Sequence, residues 1–412
     1  MRARLPFVAL AGAAGFVLAC ALVRGGLLRP EQFGDVRLYE LYARRIVDGE
    51  FPYRDFFFEY PPGSLVVFLL PAVSLAHYTV LFKTLMALCG AALVPLAAHA
   101  GRQLGYGHGR TAAVVAALAL APLALGPIVL DEFDLWPTLI TLSALVALLA
   151  GRHRLGGGLL GFGAATKIFP VAILPAALVW IHRRAGARAA RNALLAFAGV
   201  AAASYAVFVA FGAGGVWYSF LVQARRGLQK ESLGSALLLA LDQLGLYKAR
   251  IVVGNPHWTE LTGPAGDTLA LLSTVAQALV ALAVAAIAAR RRPDPSTLVL
   301  AAAAAVAGFV AFGKVLSPQY LIWLVPLVLL AAGIVETALL ATALVLTQLW
   351  FLDIVRPFDL HAQVWLFVAR DAILLALFGL LLVRLRRLVL AVPARAGRRA
   401  TREPGFSRAG PT

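Results

Sequence analysis

Charge is scarce in this sequence. Only 14% of its 412 residues are Asp, Glu, Lys or Arg, where a soluble domain carries about 25%. Cysteine is scarcer: Cys20 and Cys89 are the only two, each inside an apolar run, so neither a disulfide framework nor a cysteine metal site can be read from them. Acidic residues number 20 against 37 basic ones. The strict apolar–polar alternation of a membrane β-barrel strand is also missing, and its place is taken by long unbroken apolar runs.

Hydrophobic residues make up 61% of the chain, and many runs reach the roughly 20 residues that a membrane-crossing helix needs. The net charge of +17 does not indicate nucleic acid. The basic residues sit at the ends of apolar runs, in MRAR at the start, HRRAGARAAR at 182–191, RRRP at 290–293 and RLRR at 384–387. That is the positive-inside pattern, without the groove-reading motif or aromatic–basic platform of a nucleic-acid binder. The expected fold is an all-α polytopic transmembrane bundle of about twelve spans, two of them short or broken.

Span one covers about 6–28, so the segment 29–63 falls outside. The stretch 64–77 dips into the interface and 78–100 crosses. This choice keeps GRQLGYGHGR (101–110) and GRHR (151–154) inside and DEFD (131–134) outside. The run after 155 reads as two short halves hinged near Lys167, which returns the arginines of 182–191 to the inside. Further spans follow at about 191–212, 267–290, 296–312, 318–333, 334–352 and 363–384. The expected organisation is an N-terminal catalytic module at 1–212, a C-terminal module at 213–384 with an outer loop at 213–266, and a basic cytoplasmic tail at 385–412. Both termini are expected in the cytoplasm, with the protein in the plasma membrane.

The outside segments carry the chemistry. In FGDVRLYELYARRIVDGEFPYRDFFFEYPPG (33–63), helical spacing puts Leu38, Tyr39, Tyr42 and Ile46 on one face and Arg37, Glu40, Arg44 and Asp48 on the other. This predicts an amphipathic helix in the interface plane, with a Glu40–Arg44 pair and Gly49 closing it. Asp35 has two readings: an N-cap accepting from the N–H of Arg37 or Leu38, or a general base at the membrane surface. Arg54, Asp55 and Glu59 stand among aromatics, where charge is costly unless paired or functional. In DEFDLWP (131–137), Asp134 fits a helix cap and Pro137 a first turn. A metal site from Asp131, Glu132 and Asp134 has no histidine to support it, and no cofactor is implied. In WYSFLVQARRGLQKESLGS (217–235), Arg225, Arg226 and Lys230 lie outside, against the positive-inside rule. They call for an anion such as a lipid phosphate, or pair with Glu231. Lys167 and Lys314 raise the same question.

In order along the chain, GDVRLYELYARRIVDGEFPYRDFFFEYPPG, DLWPTLITLSALVALLAGRHRLGGGLLGFGAATKIFPVAILP, RRGLQKESLGS and GKVLSPQYLIWLVPL resemble the membrane glycosyltransferases of the C-type fold. Within that fold they are similar to the polyprenyl-phosphate-mannose-dependent family 87, over about 30–335. The resemblance implies transfer of a sugar, mannose in the first instance, from a polyprenyl-phosphate carrier to a lipid or glycan acceptor at the outer leaflet, with inversion. It implies an early acidic residue of the first outer loop as base, which maps onto Asp35, with Asp55 and Glu59 as rival acids. Asp131 and Asp134 would orient acceptor hydroxyls, and Arg225, Arg226, Lys230, Lys167 or Lys314 would face the phosphate. A transporter or lipid-linked sugar flippase is the alternative, suggested by the intramembrane charges Glu336 and Arg370–Asp371. Transporters, however, gather their sites near the midplane within internal repeats, whereas the charges here gather at one face.

Overall fold

The computed structural model describes residues 4–27, 34–253, 259–290, 294–351 and 360–390. The chain is a helical membrane protein. Its helices are α1 (Arg4–Leu22), α2 (Val36–Val47), α3 (Leu65–Leu69), α4 (Tyr78–Gln103), α5 (His108–Leu125), α6 (Ile128–Asp131), α7 (Leu135–Leu149), α8 (His153–Ala164), α9 (Leu174–Arg225), α10 (Leu233–Gln243), α11 (Pro264–Ala288), α12 (Pro295–Ala311), α13 (Leu321–Ala331), α14 (Ile334–Phe351) and α15 (Leu360–Leu390). Among the described residues six helical stretches are long and apolar enough to cross a membrane, and five shorter apolar helices accompany them. The expected count of about twelve spans is therefore not reproduced by length alone, because glycines and prolines break several runs.

Two of those breaks position the functional segments. Between Pro62 and His77 the chain forms only short turns and α3, with Ser74 in an extended conformation (φ −146°, ψ 97°), before α4 begins. The second break follows α8. The chain leaves the helix at Ala165, passes Lys167 and re-enters a helical course through Phe169–Ala172, so the hinge at Lys167 is present as the sequence suggests. Helix α9 is itself interrupted at Gly186 and Gly212. Its middle portion lies against α8 so closely that a Cβ on Gly157 or Gly161 would meet the backbone oxygens of Ala193 and Phe197, the small-residue packing that holds helices together in lipid.

The sequence places an amphipathic helix at 35–48, and α2 is that helix. It buries Val36, Tyr39, Tyr42 and Ala43, carries the Glu40–Arg44 pair on its exposed side, and ends at Gly49. Its buried face packs on rings. Tyr39 stacks on Phe68 at 4.3 Å and meets Phe133 edge-on at 5.6 Å, and Tyr42 meets Phe58 at 4.8 Å. Each such pair contributes about 0.5–1.5 kcal/mol beyond its buried area. The aromatics of 51–60 thus anchor α2 onto the bundle, a role beyond that of an interfacial belt.

At the centre lie α12 and α13, buried on nearly all sides, as helices apolar all round must be. They pack against each other, and α11 and α15 close around α12. Helix α15 continues to Leu390, beyond the expected end at 384, and the remainder of the basic tail lies outside the described residues. One element has no counterpart in the expected fold. Strands β1 (Leu228–Gln229), β2 (Arg250–Val253) and β3 (Thr259–Thr262) form a small antiparallel sheet in the order β1-β3-β2, with Gln229 opposite Glu260 and Arg250 opposite Thr262. Strands of two to four residues carry too little alternation to be read from sequence.

Candidate active site

Asp35 occupies the N-cap position of α2, yet its side chain makes no capping hydrogen bond. Its Oδ2 instead accepts from the Tyr60 hydroxyl at 2.9 Å, and Oδ1 has no hydrogen-bond partner among the described residues. The capping reading therefore falls away. Gly34, just before it, has a φ of +141°, and a Cβ there would stand 2.8 Å from Asp131 Cβ. Only glycine lets the start of α2 approach the 131–134 segment this closely.

The three acids of 131–134 do not converge on one point, as a metal site would require. Glu132, almost wholly buried, accepts from the Tyr39 hydroxyl at 2.6 Å and from the Asp35 backbone N–H at 3.3 Å. Asp131 turns away and pairs with Lys83 at 2.5 Å. Asp134 does not cap α7 through its side chain. It accepts from Lys167 Nζ at 2.8 Å on both oxygens and from Trp323 Nε1 at 2.6 Å. Lys167 lies 4.5 Å from the centre of the Phe133 ring and within 5.5 Å of those of Tyr320 and Trp323. Trp323 is sandwiched between Phe169 and Tyr320, each 4.2 Å away. A buried charge persists when it is paired and hydrogen-bonded in this way.

A group of cations adjoins this acid cluster. The 313–317 turn runs beside the end of α9. Gln229 N–H donates to the Lys314 carbonyl at 2.9 Å, and Lys314 Nζ donates to the Ala224 carbonyl at 2.7 Å. Arg226 Nε stands 3.6 Å from Glu260 Oε1. Arg225, Arg226 and Glu260, with Tyr218, Leu221 and Val222, line a cavity of about 240 Å³. Lys230 lies 3.7 Å from Glu231, the pairing anticipated as its structural role.

Electrostatics tie the two groups together. Burial, then Asp35 and Asp134, push the Glu132 carboxyl well above its ordinary range. Burial, then Asp35, raise Glu59, while Arg226 and Lys167 oppose that rise. Glu59 therefore senses both the acid and the cation cluster. Burial pulls Lys167 down, but Asp134, Tyr320 and Glu132 outweigh it and hold the amine above its ordinary value.

Of the residues singled out in the sequence, Asp35, Glu59, Asp134 and Lys167 come together, and Arg225, Arg226 and Lys314 line the neighbouring cation group. Asp131 sits beside the acid cluster but faces Lys83. Asp55 lies outside, in an exposed pair with Arg54 at 2.8 Å. Tyr39, Tyr60, Trp323 and Glu260 do not stand out in the sequence as site residues, and Glu132 does so only as a member of an unsupported metal cluster. Tyr39 was legible as a buried position of α2, but its partner lies 93 residues away, which no local pattern reveals.

The arrangement offers a partly exposed carboxylate with a free oxygen, a buried acid–lysine scaffold near it, and cations that line a cavity with apolar side chains on its remaining wall. Such a set can take a proton from a hydroxyl and stabilise an anionic leaving group. The family model described as glycosyltransferase family 87 matches residues 57–318, more than half of the chain. The matched region contains Glu59, the 131–134 acids, Lys167, Arg225, Arg226 and Lys314, and begins after Asp35. No curated protein matches the sequence significantly.

Proposed function

The chain belongs to glycosyltransferase family 87, and from that premise we propose that it moves a sugar from a polyprenyl-phosphate carrier to a lipid or glycan acceptor at the outer face of the plasma membrane. Asp35 is the general base and mannose the first sugar to test. The acceptor hydroxyl gives its proton to Asp35 Oδ1 as its oxygen attacks the anomeric carbon. The bond from that carbon to the phosphate oxygen breaks on the opposite side, so the configuration inverts. The leaving polyprenyl phosphate gains negative charge, which Arg225, Arg226 and Lys314 stabilise.

One observation carries this reading. A carboxylate at a helix N-cap position makes no capping hydrogen bond, gives one oxygen to the Tyr60 hydroxyl and keeps the other without a hydrogen-bond partner among the described residues, while the buried Glu132 takes the Asp35 backbone N–H. The raised Glu132 supports the assignment, because burial and the neighbouring acids weaken its hold on negative charge beside Asp35. Charge distribution supports the outer face, since the basic segments 101–110, 151–154 and 182–191 alternate along the chain with the site segments. The small cavity, lined by Tyr218, Leu221 and Val222 as well as by Arg225, Arg226 and Glu260, suits the junction of a carrier's phosphate and its first isoprene unit.

The test uses purified protein in lipid, offered labelled polyprenyl-phosphate mannose, arabinose and glucose and the matching nucleotide sugars, with membrane lipid as acceptor. Transfer from a lipid-linked donor that disappears in Asp35→Asn, with the thermal transition retained, is the expected result. The amide still accepts from Tyr60 but cannot take the proton. Near-normal turnover in the variant ends the base assignment, and transfer from nucleotide sugars alone ends the carrier assignment.

A further inference from the structure

Glu260 is an anion among cations whose function calls for an anion. It sits on β3, the central strand of the small sheet. Its neighbour Leu261 is buried in the core beneath, so strand alternation turns Glu260 to the opposite side, where it lines the 240 Å³ cavity with Arg225 and Arg226. One carboxylate oxygen, Oε2, accepts from the Gly227 backbone N–H at 3.1 Å. The other, Oε1, stands 3.6 Å from Arg226 Nε, a distance beyond hydrogen bonding, and it makes no hydrogen bond. Both partners are mostly buried, with side-chain exposures of 13% and 15%. In such surroundings a tight, bidentate arginine–carboxylate pair is the expected geometry, and this pair is loose.

The neighbouring charges explain what the loose pair is suited to. Arg225 makes no ion pair among the described residues. Among the described residues Lys314 donates to a carbonyl, and its amine is pulled down by burial and by Arg226 while Glu260 holds it up. Glu260 is thus paired with Arg226, its charge reaches Lys314, and Arg225 lines the same cavity. A sugar-phosphate diester carries one negative charge, as Glu260 does, so exchanging one for the other leaves the local charge balance unchanged. The diester presents two charge-bearing oxygens, as the carboxylate does, so one can take the Gly227 N–H while the other faces the arginines.

We propose that Glu260 is a displaceable counter-ion that holds the seat of the donor phosphate, formed by Arg225, Arg226, Lys314 and the Gly227 N–H, and that the phosphate enters by one-for-one exchange with the Glu260 carboxylate. This rests on the carrier-phosphate reading of the function. The exchange needs only a side-chain rotation, because β1 and β2 fix the backbone of β3 from both sides. Glu260 is then a tuning residue: it keeps the mostly buried Arg226 compensated and weakens donor binding by competing for the same seat.

The experiment measures binding of methyl farnesyl phosphate, a singly charged diester with no sugar, to the full-length protein in lipid nanodiscs at fixed salt. Glu260→Gln keeps an oxygen for the Gly227 N–H but removes the charge, and tightens binding about tenfold, the factor that one such charge pair commands. Arg226→Ala in the Glu260→Gln background abolishes that gain. Asp267→Asn removes the same charge from an exposed nearby position and moves binding little. Unchanged or weaker binding in Glu260→Gln, or equal tightening in Asp267→Asn, overturns the counter-ion role while leaving the carrier reading intact. Failure of methyl farnesyl phosphate to bind either wild type or Glu260→Gln, in protein that still melts cooperatively, overturns both.

Discussion

In the acid half of the site Glu132, Asp134 and Lys167 are buried and held by partners at 2.6–2.8 Å, whereas in the cation half the Arg226–Glu260 pair is 3.6 Å long beside an open cavity. The acid half is built from α2, the 131–134 turn, the Lys167 hinge and α13, all locked by aromatic stacking. The cation half hangs on the end of α9, the 313–317 turn and a sheet of short strands. A rigid framework suits a base that must sit within hydrogen-bond reach of a hydroxyl. Loosely paired cations suit a seat that a lipid phosphate enters and leaves on every turnover.

The sharpest way to break this comparison is at Asp35. Asp35→Asn lowers transfer by about 10²–10⁴-fold, the usual worth of general base catalysis, with the thermal transition unmoved. A stability loss of matching size would place Asp35 in the scaffold instead. Next comes the scaffold itself. Lys167→Met leaves Asp134 buried and unpaired and costs about 3–5 kcal/mol, read as a drop in the denaturation midpoint. The double variant Lys167→Met/Asp134→Leu recovers most of that loss.

On the cation side, Arg226→Ala raises the donor KM about tenfold, in keeping with loss of one charge-assisted contact. The acceptor KM and the melting temperature change little. A change confined to acceptor dependence would move Arg226 out of the phosphate seat. The smallest effect is on pH dependence. Because the Glu132 carboxyl is raised above its ordinary value of 4.5, the folded protein binds this proton more tightly than the unfolded chain. Stability is therefore greatest below the ordinary value and declines as pH rises from there through the raised one. Glu132→Gln, which still accepts from Tyr39, flattens that decline, and melting temperatures across the acidic range measure it.

Much of the local structure was legible. The face of α2, its end at Gly49, the Glu40–Arg44 pair and the hinge at Lys167 follow from helical spacing and from what glycine and proline do to a helix. The resemblance to family 87 agrees with the family to which the chain belongs. Of the site, Asp35, Asp134 and Lys167 could be selected as residues, but neither the pairing of Asp134 with Lys167 nor the partners Tyr60 and Trp323 could. Local rules offered capping for both Asp35 and Asp134, and in neither is the cap made. A nearby hydroxyl takes one and a buried ammonium and indole take the other.

The sequence alone determined that this is a helical membrane protein, where its helices break, and which segments carry charge. Those properties depend on composition and on neighbours three or four residues apart. Tertiary structure alone decided that Glu132 rather than Asp131 meets Asp35, that Asp134 joins Lys167 to a tryptophan 189 residues away, and that Glu260 stands against Arg226. The direction in which each acid of a short turn points is set by how the flanking helices pack, and that packing brings together residues with no sequence proximity to record it.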